Sequence, residues 1–405
     1  MKTSHGAVLF GVTIDYQLRY HAGLPEALAQ EGYEVHVVSG DGPTLQELSQ
    51  VPGITTHVLP MARKPSPHAD LKALYRWGAL LRRVRPRVVL IGTPKASLLG
   101  ILAAAFARVP ARIYELHGLR LESASGVGRR VLAAMEWITC RCATEVIAVS
   151  QSLADVAIAE GVVRPGSVGV LGAGSPGGVD IDRFSLARAD LSGRVRTREE
   201  WDIPADAAVV AFIGRLTADK GLNELAGAIA VLAAQRSVHL LVVGSVDDES
   251  GRIGVERLRA TGVPVSFTGE VAQIDEYLAV SDVLCFPTKR EGLPTVVLEA
   301  FAARVPVVAM RATGVVDLVV NEETGMLVEQ NDAEGLALAL ERVLEETDLR
   351  ERVVQAAFEL ADSAYRRSDV QGRWKRKLVT LARTSPSSAD ASRPTRRGMK
   401  DGGEP

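Results

Sequence analysis

Short runs of aliphatic and β-branched residues alternate with longer stretches of helical period along nearly the whole chain. Strand-like runs at Ala7–Ile14, Glu34–Val38, Val88–Ile91, Arg112–Leu116 and Glu145–Val149 are separated by amphipathic stretches near His21–Glu31, Asp70–Arg85, Ala96–Arg108, Gly128–Ala143 and Ser152–Glu160. This alternation predicts βαβ units on a parallel sheet. Between Gly166 and Phe184, six glycines and a proline in 19 residues break the rhythm. It restarts with strand-like Val209–Ile213, His239–Val243, Val265–Thr268, Val283–Phe286, Val305–Ala309 and Met326–Val328. Helices fill the gaps and then continue as Asp332–Glu346, Asp348–Asp362 and about Ala364–Ala382. The expected organisation is a first domain over 1–186, a connector over 187–201, a second domain over 202–363, a last helix over 364–384 and a tail over 385–405. That tail, rich in Ser, Pro, Arg and Gly, lacks the apolar side chains to offset its ordering entropy and is expected to be disordered.

Composition narrows the class. With 47% hydrophobic and 24% charged residues over 405, the chain reads as globular and not as a fibre or a disulfide scaffold. A net charge of −2 speaks against a globally basic nucleic-acid binder, and no nucleic-acid partner is expected. Residues 1–190 nevertheless carry 20 basic against 16 acidic side chains (+4), and residues 191–405 carry 27 against 33 (−6). Three cysteines, Cys140, Cys142 and Cys285, form no framework and read as a reducing, cytoplasmic compartment. The longest apolar run, Leu98–Ala107, has ten residues, too few for a membrane span.

Two segments carry candidate chemistry. Gly214-Arg-Leu-Thr-Ala-Asp-Lys-Gly221 follows the first strand of the second domain, so Arg215 and Lys220 project from a strand-to-helix loop at the ligand edge of the sheet. Two cations there suit a diphosphate, or else form an ordinary solvated loop. Glu291-Gly-Leu-Pro-Thr-Val-Val-Leu-Glu299 follows Val283–Phe286 and opens a helix, with Pro294 suited to its first turn. Its free N–H groups favour a phosphate, Glu299 is placed to accept from vicinal hydroxyls as on a ribose, and Glu291 from sugar hydroxyls. Taken singly, each glutamate reads equally as a surface charge. Asp180-Ile-Asp182 has the form of a metal-binding pair but lies in the Gly-rich break, and Asp247-Asp248-Glu249 reads as a solvated loop, so no metal site is expected.

Together, Gly214-Arg-Leu-x-x-x-Lys-Gly221 and the two glutamates flanking Gly-Leu-Pro resemble the retaining nucleotide-sugar glycosyltransferases of family 4, which have the two-domain GT-B fold. His117-Gly-Leu-Arg120, Ala148-Val-Ser-Gln-Ser152 and Gly178-Val-Asp-Ile-Asp-Arg-Phe184 match as well, and the likeness extends to about residue 382. Within the family the chain looks most like bacterial capsule and O-antigen enzymes that extend polyprenyl-diphosphate-linked sugars. The resemblance implies an α/β architecture of two doubly wound Rossmann-like domains facing across a cleft, the first binding acceptor and the second the nucleotide-sugar, with the C-terminal helix crossing back to the first. Arg215 and Lys220 would bind the donor diphosphate. Gly292, Leu293, Pro294 and Thr295 would hold phosphate and sugar, Glu291 would contact the sugar and Glu299 the ribose. The turn Gly269-Glu270-Val271 would meet the base through its main chain, and His117 would face donor sugar and acceptor across the cleft. Catalysis would fall to His117, Arg215, Lys220 and Glu291, without a metal or other cofactor.

One departure stands out. Family members often carry paired glycines in the first loop, where this chain reads Asp15-Tyr-Gln-Leu-Arg-Tyr-His-Ala-Gly23. Arg19 or the Tyr16–Leu18 backbone would either substitute for them or shape the acceptor pocket. The partners expected are a nucleotide-sugar, a lipid-linked or saccharide acceptor, and an anionic membrane surface. The last rests on Leu71–Arg87, where Leu71, Leu74, Tyr75, Gly78 and Leu81 fall near one helical face, amid Lys72, Arg76, Arg82, Arg83, Arg85 and Arg87. An N-acetylhexosamine from a UDP-sugar is the leading donor, with GDP-mannose the rival. A nucleotide-sugar epimerase and a non-catalytic binder are the competing classes.

Overall fold

The computed structural model describes residues 5–62 and 66–384; the tail from residue 385 lies outside the described residues. Seven parallel strands, β1 (Ala7–Gly11), β2 (Glu34–Ser39), β3 (Ile54–Val58), β4 (Val88–Gly92), β5 (Ala111–Leu116), β6 (Glu145–Ala148) and β7 (Val168–Val170), form one sheet in the order β3-β2-β1-β4-β5-β6-β7. Six more, β8 (Ala208–Ile213), β9 (Val238–Val243), β10 (Val265–Gly269), β11 (Val283–Phe286), β12 (Val307–Met310) and β13 (Met326–Val328), form a second in the order β10-β9-β8-β11-β12-β13. In each sheet the chain winds outward one way, returns and winds out the other way. A crevice opens at the carboxyl ends where the direction reverses, between β1 and β4 and between β8 and β11.

The helices follow the strands: α1 (Leu24–Gln30), α2 (Pro43–Ser49), α3 (Pro67–Val84), α4 (Pro94–Phe106), α5 (Gly126–Cys142) and α6 (Gln151–Ala159) in the first half. Three of these begin on a proline, which loses nothing where the N–H has no intrahelical partner. Then come α7 (Ile181–Ala189), α8 (Leu191–Glu200), α9 (Leu222–Ala233), α10 (Glu249–Ala260), α11 (Asp275–Val280), α12 (Thr295–Ala302), α13 (Ala333–Glu345), α14 (Thr347–Tyr365) and α15 (Arg367–Thr384). The central strands β1 and β4 are buried throughout, as their unbroken apolar runs require of strands covered on both faces.

Helix α15 crosses back over the first sheet. Val370, Trp374, Leu378 and Ala382 recur at a helical spacing and are buried against Phe10, Leu24 and Leu28. The Arg87 guanidinium donates to the Ala382 carbonyl at 3.0 Å. An apolar cluster on the other face runs without a break into the second half, through Val149, Leu153, Leu293 and Val315.

Some elements depart from the sequence expectation. Strands β3 and β7 lie at the sheet edges, where Thr, His and Gly replace the apolar run that marks a central strand. Residues 187–201, expected as a connector, fold into the end of α7 and into α8, both packed on α11. On α3 the buried face is Ala73, Trp77, Leu80 and Leu81, so Leu71 and Tyr75 of the expected apolar face are exposed.

Candidate active site between the two sheets

The crevice of the second sheet is walled by the loops after β8 and β11. The Lys289 amide donates to the Asp219 carbonyl at 2.9 Å, and a Cβ on Gly221 would lie 2.0 Å from the Pro287 carbonyl oxygen. Gly221 also has φ +73°, so glycine there answers both the turn and the close approach. With the loops joined, Lys220 Nζ pairs with Glu291, and the Thr288 hydroxyl donates to the same carboxylate at 3.3 Å. Arg215 pairs with Asp247 at 3.0 Å while about half its side chain stays exposed (54%). Burial opposes the charge of Asp219, but the Thr217 hydroxyl and the cations Lys220, Arg290 and Arg215 outweigh it and hold that carboxyl below its ordinary value. Each cation of the crevice is matched by a carboxylate, Arg215 by Asp247, Lys220 by Glu291 and Arg290 by Asp219.

Helix α12 starts at the same place. Pro294 is its N-cap (φ −75°, ψ 106°), one residue earlier than the first-turn position read from sequence. The Val297 amide donates to the Pro294 carbonyl at 3.1 Å, and the first turn carries the positive end of the helix dipole. Glu299 lies one turn on. Burial pushes its carboxyl up to about 7, while Arg183 and Arg367 pull the other way. Among the described residues it makes no side-chain hydrogen bond, so both oxygens can accept.

The opposite wall comes from the first half. Residues Asp15–His21 form a 3-10 turn, fixed where the Asp15 carboxylate accepts the Thr44 and Leu45 amides at 3.1 and 2.6 Å. Its two tyrosines face the second half. Burial raises the Tyr16 phenol, opposed by Arg19 and assisted by Glu299 and Glu270; Tyr20 is pushed up to about 12 by burial, with Glu291 and Arg215 among the charges acting on it. Arg19 crosses the cleft to donate to the Ala272 carbonyl at 3.2 Å, beside the Gly269–Val271 turn. Tyr20 stacks on His117 (centroids 5.1 Å apart), and His117 Nε2 lies 2.9 Å from Glu115 Oε2.

The halves touch directly at Gly292. A Cβ there would sit 2.0 Å from the His117 carbonyl oxygen, and the Ser150 hydroxyl donates to the Gly292 carbonyl at 2.7 Å. Asp317 of the second half accepts the Gln151 and Ser152 amides at 2.8 and 3.0 Å, capping α6 from across the cleft. Thr313 donates to Glu122 at 2.6 Å.

Arg215, Lys220, Glu291, Gly292 and the start of α12 therefore share one crevice, opposite Tyr20 and His117, while Glu299 and Glu270 lie near Tyr16 and Arg19. Leu293 and Pro294 are buried, Leu293 within the apolar cluster joining the halves, and Thr295 opens α12 behind them. Tyr20, His21 and Glu115 escaped sequence reasoning, as did Ser150, Ser152 and Asp317. The two serines lie in a quoted stretch, Ala148–Ser152, but nothing local in the sequence pairs them with Asp317, 165 residues away from Ser152. The acidic motifs set aside as structural have partners of their own. Asp180 caps α7, Asp182 pairs with Arg366 at 3.2 Å, and Asp248 caps α10.

Residues 18–174 match the family described as Glycosyl transferase 4-like domain, and residues 194–360 match Glycosyl transferases group 1. The capsular polysaccharide biosynthesis glycosyltransferase CapM of Staphylococcus aureus is 35% identical over 344 residues, covering 84% of this chain and 88% of CapM. The chain belongs to this glycosyltransferase family. A second relative of the glycosyltransferase is the UDP-Gal:alpha-D-GlcNAc-diphosphoundecaprenol alpha-1,3-galactosyltransferase of Escherichia coli, 25% identical, covering 79% of this chain and 82% of that one. Among solved structures, Anabaena Alr3699/HepE in complex with UDP-glucose superposes with a TM-score of 0.77 at 22% identity, over 93% of this chain and all of HepE. The glycosyltransferase has the GT-B fold, and its two facing sheets are the two Rossmann-like halves of that fold.

Proposed function

We propose that the enzyme moves an N-acetylhexosamine from a UDP-sugar, with retention at the anomeric carbon, onto a lipid-linked or saccharide acceptor in cell-envelope polysaccharide assembly. The observation carrying this reading is the meeting of Arg215, Lys220, Glu291 and the α12 N-terminus in one crevice opposite His117. The UDP donor and undecaprenyl-linked acceptor in the name of the E. coli relative, and the capsule in that of the S. aureus relative, support the substrate class.

In this reading the donor diphosphate displaces two internal ion pairs. Lys220 turns from Glu291 to phosphate, Arg215 turns from Asp247 and binds through its planar fork, and Glu291 accepts from the sugar hydroxyls. As the bond from C1 to the diphosphate oxygen breaks, the acceptor oxygen bonds to C1 on the same face, and its proton passes to the departing diphosphate. The two side chains and the helix end stabilise the charge that collects there, so the step needs no divalent cation. One such cationic contact is worth ~3 kcal/mol, about two orders of magnitude in rate.

The acceptor's lipid end calls for a membrane nearby. Among the described residues no helix is long and apolar enough to cross one. Leu71 and Tyr75 on α3 and Val127 and Val131 on α5 are exposed apolar residues, with Lys72, Arg76, Arg82, Arg83 and Arg130 exposed on the same two helices. This arrangement suits weak contact with anionic lipid.

One assay tests the reading: transfer from UDP-N-acetylhexosamines and from GDP-mannose to a polyprenyl-diphosphate-linked sugar in anionic vesicles, with EDTA, at low and high salt. The expected result is transfer from a UDP-sugar with the donor's anomeric configuration kept, undiminished by EDTA and faster at low salt. Epimerised donor without transfer, inversion, or transfer from GDP-mannose alone would contradict it.

A further inference from the structure

We propose that Glu115 and His21 are positioning residues that hold His117 in one orientation and one tautomer, its Nε2–H committed to Glu115 and its Nδ1 left for a hydroxyl in the cleft. The inference rests on the proposed function for what His117 touches, but not for how its ring is held.

Glu115 is the second-last residue of β5 and is wholly buried. Residues two apart on an extended chain share a side, which brings Glu115 beneath His117 at the strand end. A single oxygen, Oε2, lies 2.9 Å from His117 Nε2 and 2.8 Å from His21 Nε2, and no lysine or arginine pairs with it among the described residues. Its other oxygen is buried without a partner. A buried carboxylate held by two imidazoles is a poor device for stability, since an apolar side chain of the same volume would cost less. It is a good device for fixing a ring.

Burial works against ionisation of Glu115, yet the two imidazoles outweigh it and hold the carboxyl below the usual carboxylate range. An ionised carboxylate oxygen only accepts, so each Nε2 facing it carries the hydrogen. Three further contacts leave the His117 ring little freedom. Tyr20 stacks on one face. Gly92 makes room for the ring, because a Cβ there would come within 2.5 Å of Nε2. The backbone of residue 117 is pinned by Gly292. His117 Nδ1 has no protein partner among the described residues and, unlike His21 Nδ1, is not shut away from solvent. His21 is in turn held between the rings of Phe10 (5.9 Å) and Trp374 (6.0 Å), so α15 braces the far end of the chain of contacts. The 3-10 turn that replaces the family's paired glycines thus supplies both Tyr20 and His21 to the residue facing the donor.

The test is nitrogen NMR of the full-length, ligand-free protein carrying ring-15N histidine at about pH 8, with the His117 signals assigned by their loss in His117→Asn. The expected spectrum has a protonated His117 Nε2 and a bare Nδ1; a bare Nε2, from the other tautomer or from a bound cation, or a ring protonated on both nitrogens, would overturn the proposal. Glu115→Gln removes the charge that fixes the ring. It is expected to give a mixed His117 tautomer and a kcat lower by roughly 10- to 100-fold, with UDP affinity unchanged. Glu115→Gln at the wild-type kcat would also overturn it. If that variant does not fold, the wild-type spectrum still decides. If no nucleotide-sugar supports transfer, the functional reading fails while the spectrum still judges the tautomer.

Discussion

Glu299 carries its charge reluctantly. Burial raises its carboxyl to about 7 from the ordinary 4.5. A raised carboxyl stabilises the folded, ligand-free protein fully below 4.5, and this contribution is lost as pH climbs from 4.5 through about 7. In the proposed function it is the ionised form that would accept from both ribose hydroxyls, so ligand binding would have the opposite slope. Affinity for a UDP-sugar is expected to tighten roughly tenfold between about pH 6 and about pH 8. Glu299→Gln should bind more weakly and show no such slope in titration calorimetry. An unchanged slope in the variant would remove Glu299 from the ribose site. The sequence made Arg215, Lys220, Glu291 and Glu299 legible because each sits at a fixed offset from a strand end or helix start. Glu115 and His21 were not legible. They come 94 residues apart, and only the neighbouring positions of β1 and β4–β5 in the sheet bring them together.

The loop from Glu291 to Pro294 does two things at once, cradling the crevice and closing it against β5 and β6. Gly292 is the point of contact, and a methyl group there has nowhere to go but into the His117 carbonyl. Gly292→Ala is expected to cost about 1–3 kcal/mol of the closed arrangement, which lowers kcat/KM roughly 5- to 150-fold by population alone. The fold of each half should survive, as circular dichroism would show; a wild-type kcat/KM would mean the halves do not need this contact. Most elements were legible because central parallel strands announce themselves as unbroken apolar runs. Strand β7 was hidden by Gly169 in a three-residue edge strand, and α8 by a nearly continuous polar sequence that buries only Thr197. These are stabilised by neighbours and not by their own pattern.

Across the whole molecule, the two sheets present their switch points to one another, and α15 returns from the second half to seal the first. The charge division along the chain follows the same split, with the net-positive half carrying the exposed apolar and basic residues of α3 and α5. That a cleft lies between the halves was legible from the repeated βαβ rhythm. Which side chains cross it was not, because the crossing contacts pair residues 142 to 253 positions apart. In the proposed function the second half grips a nucleotide-sugar by its diphosphate and ribose. A crystal structure of the UDP complex tests this most directly. It should place the diphosphate within hydrogen-bonding distance of Arg215, Lys220 and the first amides of α12, with the ribose hydroxyls on Glu299. UDP seated elsewhere, with the Lys220–Glu291 pair intact, would contradict it.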